Sequence, residues 1–167
     1  MKYVVALGSN LGDRLENLKG ALRSIALIAE VKATSSFYET DPVGGPEQPD
    51  YLNAVAILHC NLSPEDLLLQ LQQIESEAGR TREVRWGART LDLDLISAST
   101  SSSTSSSTSS STSDMPVIIE TDLLVLPHPR AHERAFVLQP WLEIEPEAQI
   151  IGKGSVKELF AALDAKE

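Results

Sequence analysis

The stretch Leu91-Asp92-Leu93-Asp94-Leu95-Ile96 alternates apolar and acidic residues. Alternation with period two marks a strand, because residues i and i+2 share a face. The leucines then face a core, and Asp92 and Asp94 together face the other way. Two carboxylates roughly 6 to 7 Å apart along a strand can reach one divalent cation or hold two between them. Mg²⁺ takes oxygen ligands and usually completes its shell with water and substrate phosphates. A solvated acidic face is the ordinary alternative for an isolated Asp-x-Asp, but like charges this close repel unless a cation neutralises them.

The neighbourhood of the pair is basic. Arg80, Arg82, Arg85 and Arg89 fall within ten residues just upstream, and Arg130 and Arg134 form a second group beside His128 and His132. The whole chain carries 14 Lys and Arg against 24 Asp and Glu, a net charge of −10. That balance argues against a nucleic-acid surface. An acidic chain that gathers arginine in two windows needs positive charge in one place, and Arg suits bidentate recognition of phosphate oxygens. Acids that hold metal on one side and arginines on the other form a triphosphate clamp. No Walker-type phosphate loop is present. Gly8-Ser9-Asn10-Leu11-Gly12 lacks its lysine and reads as a strand-to-helix turn. His128 and His132 are separated by Pro129 and have no further Cys or His nearby, which argues against zinc and leaves His128 as a donor to phosphate.

Read outward from that strand, the chain organises itself. Lys2 to Leu7 is a strand. Asp13 caps a helix with an apolar stripe of Leu15, Leu18, Leu22, Ile25 and Ile28. Val31 to Glu39 is a second strand, residues 41–50 a Pro/Gly loop, and Tyr51 to Cys60 a third strand. Ser63-Pro64-Glu65-Asp66 opens a helix through Leu67, Leu68, Leu71 and Ile74, ending near Gly79. Leu91 to Ile96 is the fourth strand. The order β-α-β-β-α-β is the ferredoxin-like arrangement of an α+β fold, two helices on one face of an antiparallel sheet. Met115 to Glu120 is a further strand and Arg134 to Leu142 a further helix. Ser155-Val156-Lys157-Glu158 matches a capping box and opens a last helix. With 42% hydrophobic residues, 167 residues suit one domain with a real core.

Between Ser97 and Ser113 every residue except Ala98 is Ser or Thr. Such a tract buries nothing and is expected to be a loop, at about 97–113, between two strands. No apolar run is long enough for a membrane helix, and the single cysteine, Cys60, fits a reducing cytoplasm. The aromatics are few. Trp86 lies in the Arg-rich segment, Tyr51 follows the Pro/Gly loop and Phe136 follows the second Arg group, positions that suit stacking on a flat heterocycle. Asn53 shares the face of Tyr51 and can read polar ring edges.

The run Arg85-Trp86-Gly87-Ala88-Arg89-Thr90-Leu91-Asp92-Leu93-Asp94-Leu95-Ile96 resembles the signature of 6-hydroxymethyl-7,8-dihydropterin pyrophosphokinases. Ala6 to Gly12, Ser35 to Thr40, Pro49 to Ala54 and Leu126 to Arg130 are similar to that family in the same order. The resemblance implies transfer of the β,γ-pyrophosphoryl unit of ATP to a pterin alcohol in folate biosynthesis, by a monomer; the composition adds the expectation of a cytoplasmic protein that binds neither nucleic acid nor membrane. It implies two Mg²⁺ ions on Asp92 and Asp94. An ATP site would be lined by Gln72, Glu75, Arg82, Arg85, Trp86, Arg89, His128 and Arg134, with Arg80 and Arg89 assisting transfer. Thr40, Val43, Tyr51, Asn53 and Phe136 would form the pterin pocket, with Tyr51 and Phe136 sandwiching the ring. A catalytically silent nucleotide- or metal-binding ferredoxin-like module and a metal-dependent nucleotidyltransferase using the same Asp pair are the alternatives.

Overall fold

The computed structural model describes residues 1–79, 89–101 and 114–166. In chain order the elements are β1 (Lys2–Ser9), α1 (Arg14–Ile25), β2 (Glu30–Thr34), β3 (Tyr38–Thr40), β4 (Tyr51–His59), α2 (Pro64–Glu77) and β5 (Asp92–Ser101). They continue with β6 (Asp114–Pro116), β7 (Ile119–Glu120), β8 (Val125–Leu126), a 3₁₀ turn (Ala131–Glu133), α3 (Ala135–Ile144), β9 (Gln149–Ile150), β10 (Gly154–Ser155) and α4 (Val156–Asp164).

The main sheet is antiparallel, in the order β2-β4-β1-β5-β6, with β3 also on β4. Alternation along β1 feeds two cores. Tyr3, Val5 and Leu7, with Leu91, Leu93 and Leu95, pack against Leu18, Ala21 and Ile25 of α1 and Leu67 and Leu71 of α2. Val4 and Ala6, with Val55, Ile57 and Ile96, pack against Val137, Leu138 and Trp141 of α3 and Val156 of α4. The fold is therefore α+β, with helices on both faces of the sheet. The additional C-terminal helices cover the face opposite α1 and α2.

Local signals at two helix starts behave as the sequence predicts. The Asp13 side chain accepts from Glu16 N–H, and the Ser63 side chain accepts from Asp66 N–H, with Pro64 at the first helical position. On α1 the buried stripe is Leu18, Ala21 and Ile25. Leu15 is 41% exposed, because it lies a turn nearer the helix start, and Ile28 follows the helix end.

Four expectations need correction, each because backbone or side-chain partners outside the segment intervene. The strand expected at Val31 to Glu39 divides into β2 and β3. Between them the buried Ser35 hydroxyl accepts from Val55 N–H, and Glu143 of α3 holds Ser36, so the chain leaves the regular ladder. The strand after Leu91 does not stop at Ile96. It runs to Ser101 inside the Ser/Thr tract, because β1 offers Lys2, Tyr3 and Val4 as partners for Ser99, Ala98 and Ser97, and Ala98 is buried. The strand expected at Met115 to Glu120 is β6 and β7, which pair with different neighbours. Ser155 makes no side-chain cap bond, because its backbone pairs with Gln149 in β10. Among the described residues no helix is long and apolar enough to cross a membrane.

Ser63→Ala should lower stability by about 1 kcal/mol, the usual worth of an N-cap, whereas Ser155→Ala should stay within about 0.5 kcal/mol of the parent. Urea denaturation of the two variants checks this, and equal losses would refute the distinction.

Candidate active site

The two aspartates lie on β5 beside the C-terminal half of β1. Gly8 pairs with Asp92 on one side and with Asn53 of β4 on the other, and Ala6 pairs with Asp94. Leu91, Leu93 and Leu95 are 1 to 4% exposed in the α1–α2 core, so period two turns Asp92 and Asp94 to the opposite face. Gly8 leaves space between the acids and β4. A Cβ there would lie 3.1 Å from Asn53 Oδ1, so the amide would have to give, and in ordinary contact with Tyr51 Cδ1 at 3.5 Å.

Each aspartate meets an arginine. Arg89 Nη1 donates to Asp92 Oδ1 at 2.8 Å, and Arg134 Nη1 donates to Asp94 Oδ2 at 3.0 Å. The Arg134 guanidinium also lies 5.7 Å from the Phe136 ring centroid, within cation–π range. These side chains keep 17 to 32% of their surface exposed, and pairs so solvated are worth on the order of 1 kcal/mol or less. Fold stability gives little reason to assemble them.

The segment after β8 closes one side. His128 N–H donates to Ile96 C=O at 2.8 Å, at a bulge in the β1–β5 ladder. Its ring Nδ1 accepts from Arg130 N–H at 3.2 Å. Desolvation, then Arg134, pushes the His128 pKa down to about 4, so the ring is neutral at pH 7. With Nδ1 accepting, the neutral ring carries its proton on Nε2 and can donate from there.

On the β4 side Asn53, 5% exposed, donates through Nδ2 to Thr40 Oγ1, and Thr40 pairs with Tyr51 across the β3–β4 ladder. Thr40, Tyr51 and Asn53 are thus one group. Phe136 is partly buried against the α3–α4 core, and Val43 is 65% exposed in the loop before β4. Gln72 and Glu75 sit on α2. Glu75 is 2% exposed and its Oε1 accepts from Leu93 N–H at 2.6 Å, reaching β5 from the core side opposite the aspartates. Glu75 continues the buried stripe Leu67, Leu71 by one more step of four. A carboxylate at that spacing was a readable sign of a buried acid. Arg80, Arg82, Arg85 and Trp86 lie outside the described residues.

Sequence reasoning missed Asn10, which is 2% exposed. Its Oδ1 accepts from Arg89 N–H at 2.7 Å, and its Nδ2 donates to Gln48 Oε1 and Pro49 C=O, both at 2.9 Å. Its only sequence signal was an amide in the turn after β1.

Comparison with known proteins shows the family. A family model described as 7,8-dihydro-6-hydroxymethylpterin-pyrophosphokinase matches residues 4–146. A Bacillus subtilis (strain 168) protein is 45% identical over 142 residues, covering 84% of this chain and 75% of its own. One from Haemophilus influenzae is 42% identical over 154 residues, covering 88% and 86%. One from Mycobacterium tuberculosis (strain ATCC 25618 / H37Rv) is 41% identical over 169 residues, covering 98% and 84%. Each of the three is named 2-amino-4-hydroxy-6-hydroxymethyldihydropteridine pyrophosphokinase. Among solved structures, an HPPK-DHPS in complex with substrates superposes with a TM-score of 0.69 at 13% identity, covering 99% of this chain. The wild-type Plasmodium falciparum HPPK-DHPS with SDX-DHP gives 0.66 at 12%, also over 99%. This chain spans 44% of each of those solved chains, and at such identity the likeness is one of fold.

Desolvation, then the charge of Asp92, pushes the Asp94 pKa up to about 6, against the pull of Arg134. A carboxyl whose folded pKa is raised stabilises most below its unfolded value near 4, and that contribution is lost as pH rises through about 6. In EDTA, Asp94→Asn should therefore melt above the parent at pH 7 to 8, and the gap should close as pH falls from about 6 to 4. A gap independent of pH would show that the pair does not load the site.

Proposed function

The chain belongs to the 7,8-dihydro-6-hydroxymethylpterin-pyrophosphokinase family, and from that premise we propose how its own residues carry the reaction. It transfers pyrophosphate from ATP to 6-hydroxymethyl-7,8-dihydropterin, giving the pterin diphosphate and AMP, in folate biosynthesis. The observation that carries the residue-level reading is the row Asn53–Gly8–Asp92 across β4, β1 and β5. It sets Asn53, with Tyr51 and Thr40 beside it, on one side of a glycine and the acidic strand on the other.

The pterin lies in the β4 half. Asn53 and Thr40 read its polar edge, Val43 covers it from the loop, and Tyr51 and Phe136 flank the ring. ATP lies over β5 and the segment from His128 to Arg134. Arg89 and Arg134 direct guanidinium donors to its phosphates, and neutral His128 donates from Nε2. Arg80, Arg82, Arg85 and Trp86 complete the nucleotide site from the upstream segment, and Gln72 and Glu75 support it from α2. Arg80 and Arg89 act on the transferring group.

Asp92 and Asp94 suit a hard cation, since they are two oxygen-donor side chains on one face. Among the described residues no third Asp, Glu, His or Cys completes an all-protein cage. That donor set fits Mg²⁺, which fills its shell with phosphate and water, and we assign two such ions to the pair. The ions, when bound, neutralise phosphate charge and align the attacking and leaving oxygens. The pterin hydroxymethyl oxygen bonds to the β-phosphorus, the bond from that phosphorus to the α,β-bridging oxygen breaks, and the hydroxyl proton passes to solvent. Phosphoryl transfer of this kind depends on positioning and electrostatics, so no strong base is required.

The strand order β2-β4-β1-β5, with α1 and α2 as the connections before β2 and β5, supports a ferredoxin-like core. A single domain spanning residues 1–167, acting as a cytoplasmic monomer without nucleic acid or membrane partners, completes the proposal.

With Mg²⁺-ATP and the pterin alcohol, AMP should form only when the pterin is present. Asp94→Ala should lower turnover by at least about 10³-fold, the scale of losing an electrostatic element of the transition state. Pyrophosphate release would indicate nucleotidyl transfer instead. Near-parental turnover by Asp94→Ala at saturating Mg²⁺ would remove the metal assignment.

A further inference from the structure

Asn10 stands where β1 ends, and it touches the two halves of the site at once. Its amide nitrogen has two hydrogens, and both are committed to the Pro/Gly loop, at Gln48 Oε1 and Pro49 C=O. Its amide oxygen is committed to the other half, at Arg89 N–H, and its own backbone N–H donates to Arg89 C=O at 3.0 Å. Pro49 lies two residues before Tyr51, which begins β4. Arg89 lies three residues before Asp92 and reaches it directly with its guanidinium. The side chain is 2% exposed, so water does not readily replace a lost partner.

The tethered points are the entries to the two strands that carry the site. Arg14 adds a second hold on the loop, donating to Asp50 C=O at 2.9 Å and to Glu39. Both of those Arg14 partners lie on the β3–β4 side, whereas Asn10 bonds both sides.

We propose that Asn10 is a positioning residue that couples the pterin half of the site to the phosphate half. It rests on the functional reading above for which ligand occupies which half. A shift of Arg89 as its guanidinium engages phosphate moves the Asn10 oxygen. The rigid amide plane carries that shift to Gln48 and Pro49, and so to Tyr51. Coupling of this kind needs a contiguous element that both sites bias, and one buried amide with three bonds is such an element.

The two halves of the bracket can be cut separately. In Asn10→Asp the carboxylate still accepts from Arg89 N–H but donates to neither Gln48 nor Pro49. Gln48→Leu removes one loop contact without altering the buried position. The probes are 6-hydroxymethylpterin and Mg²⁺ with α,β-methylene-ATP, whose α,β bridge resists cleavage, and the readout is calorimetric Kd.

In the parent, the nucleotide analogue should tighten pterin binding by about tenfold or more, within the ordinary range of coupling between sites. In Asn10→Asp that tightening should fall to within about twofold, while the Kd of the analogue alone changes by less than about threefold; Gln48→Leu should fall between. Parental tightening in both variants overturns the proposal. So does equal weakening of both ligands with the tightening intact, which is the signature of a passive brace. Hydrogen exchange provides an arm that needs no pterin. The analogue alone should slow exchange over residues 47–52 in the parent and leave it unchanged in Asn10→Asp. Absence of pterin binding by the parent would overturn the functional reading, and equal protection in the two proteins would overturn the coupling.

Discussion

Strand β1 pairs on both sides, with β4 and with β5, and the site depends on the register of those two pairings. Gly8 opposes Asn53 in one ladder and Asp92 in the other. A slip of one residue in either ladder would turn every side chain of the slipped strand to the opposite face. What resists the slip is the leucine set. Leu91, Leu93 and Leu95 each contribute roughly 1.5 to 3 kcal/mol by burial. Two partly solvated carboxylates repel by much less than that sum at the high effective dielectric near a surface. The core therefore dictates where the acids point, and the acids accept the position that hydrophobic burial assigns them.

The second face is built later in the chain, yet it finishes the site. At the bulge opposite Val4 and Val5, β5 carries one residue more than β1, and Ile96 turns into the α3–α4 core. Its carbonyl accepts from His128 N–H, which anchors the segment leading to Arg134. Arg134 precedes α3 and joins Asp94 to Phe136. From the same helix Glu143 holds Ser36 and Tyr38, at the approach to Thr40. The segment around one helix thus reaches both the Asp94 side and the Thr40 side of the site.

Much of this was legible in local chemistry. The caps at Asp13 and Ser63, the alternation of Leu91 to Ile96 and the pairing of Tyr51 with Asn53 on one face needed only spacing and residue type. What was not legible depends on partners far along the chain. Ser35 leaves its ladder because of Val55 and Glu143; nearer at hand, Ser155 loses its capping role to a short ladder with Gln149. The serines after Ile96 join a strand because β1 supplies backbone partners, and backbone pairing does not require apolar side chains. Asn10 escaped notice for the same reason. An amide in a turn has no periodicity, and its importance lies in Gln48, Pro49 and Arg89, which are 38 or more residues away.

The charge balance of the described site explains how an acidic chain can serve a polyphosphate substrate. Asp92 and Asp94 are offset by Arg89 and Arg134, so this part of the site is close to neutral. Beyond a Debye length of about 8 to 10 Å the field of the remaining surface is screened, and the net charge of −10 repels a nucleotide only weakly. On the functional reading proposed above, short-range donors then decide affinity. Guanidinium groups meet that requirement, because they lose less orientation per hydrogen bond than a flexible ammonium. Neutral His128 follows the same logic. Burial, then the positive charge of Arg134, holds its pKa down, and the neutral ring keeps Nε2–H as a donor.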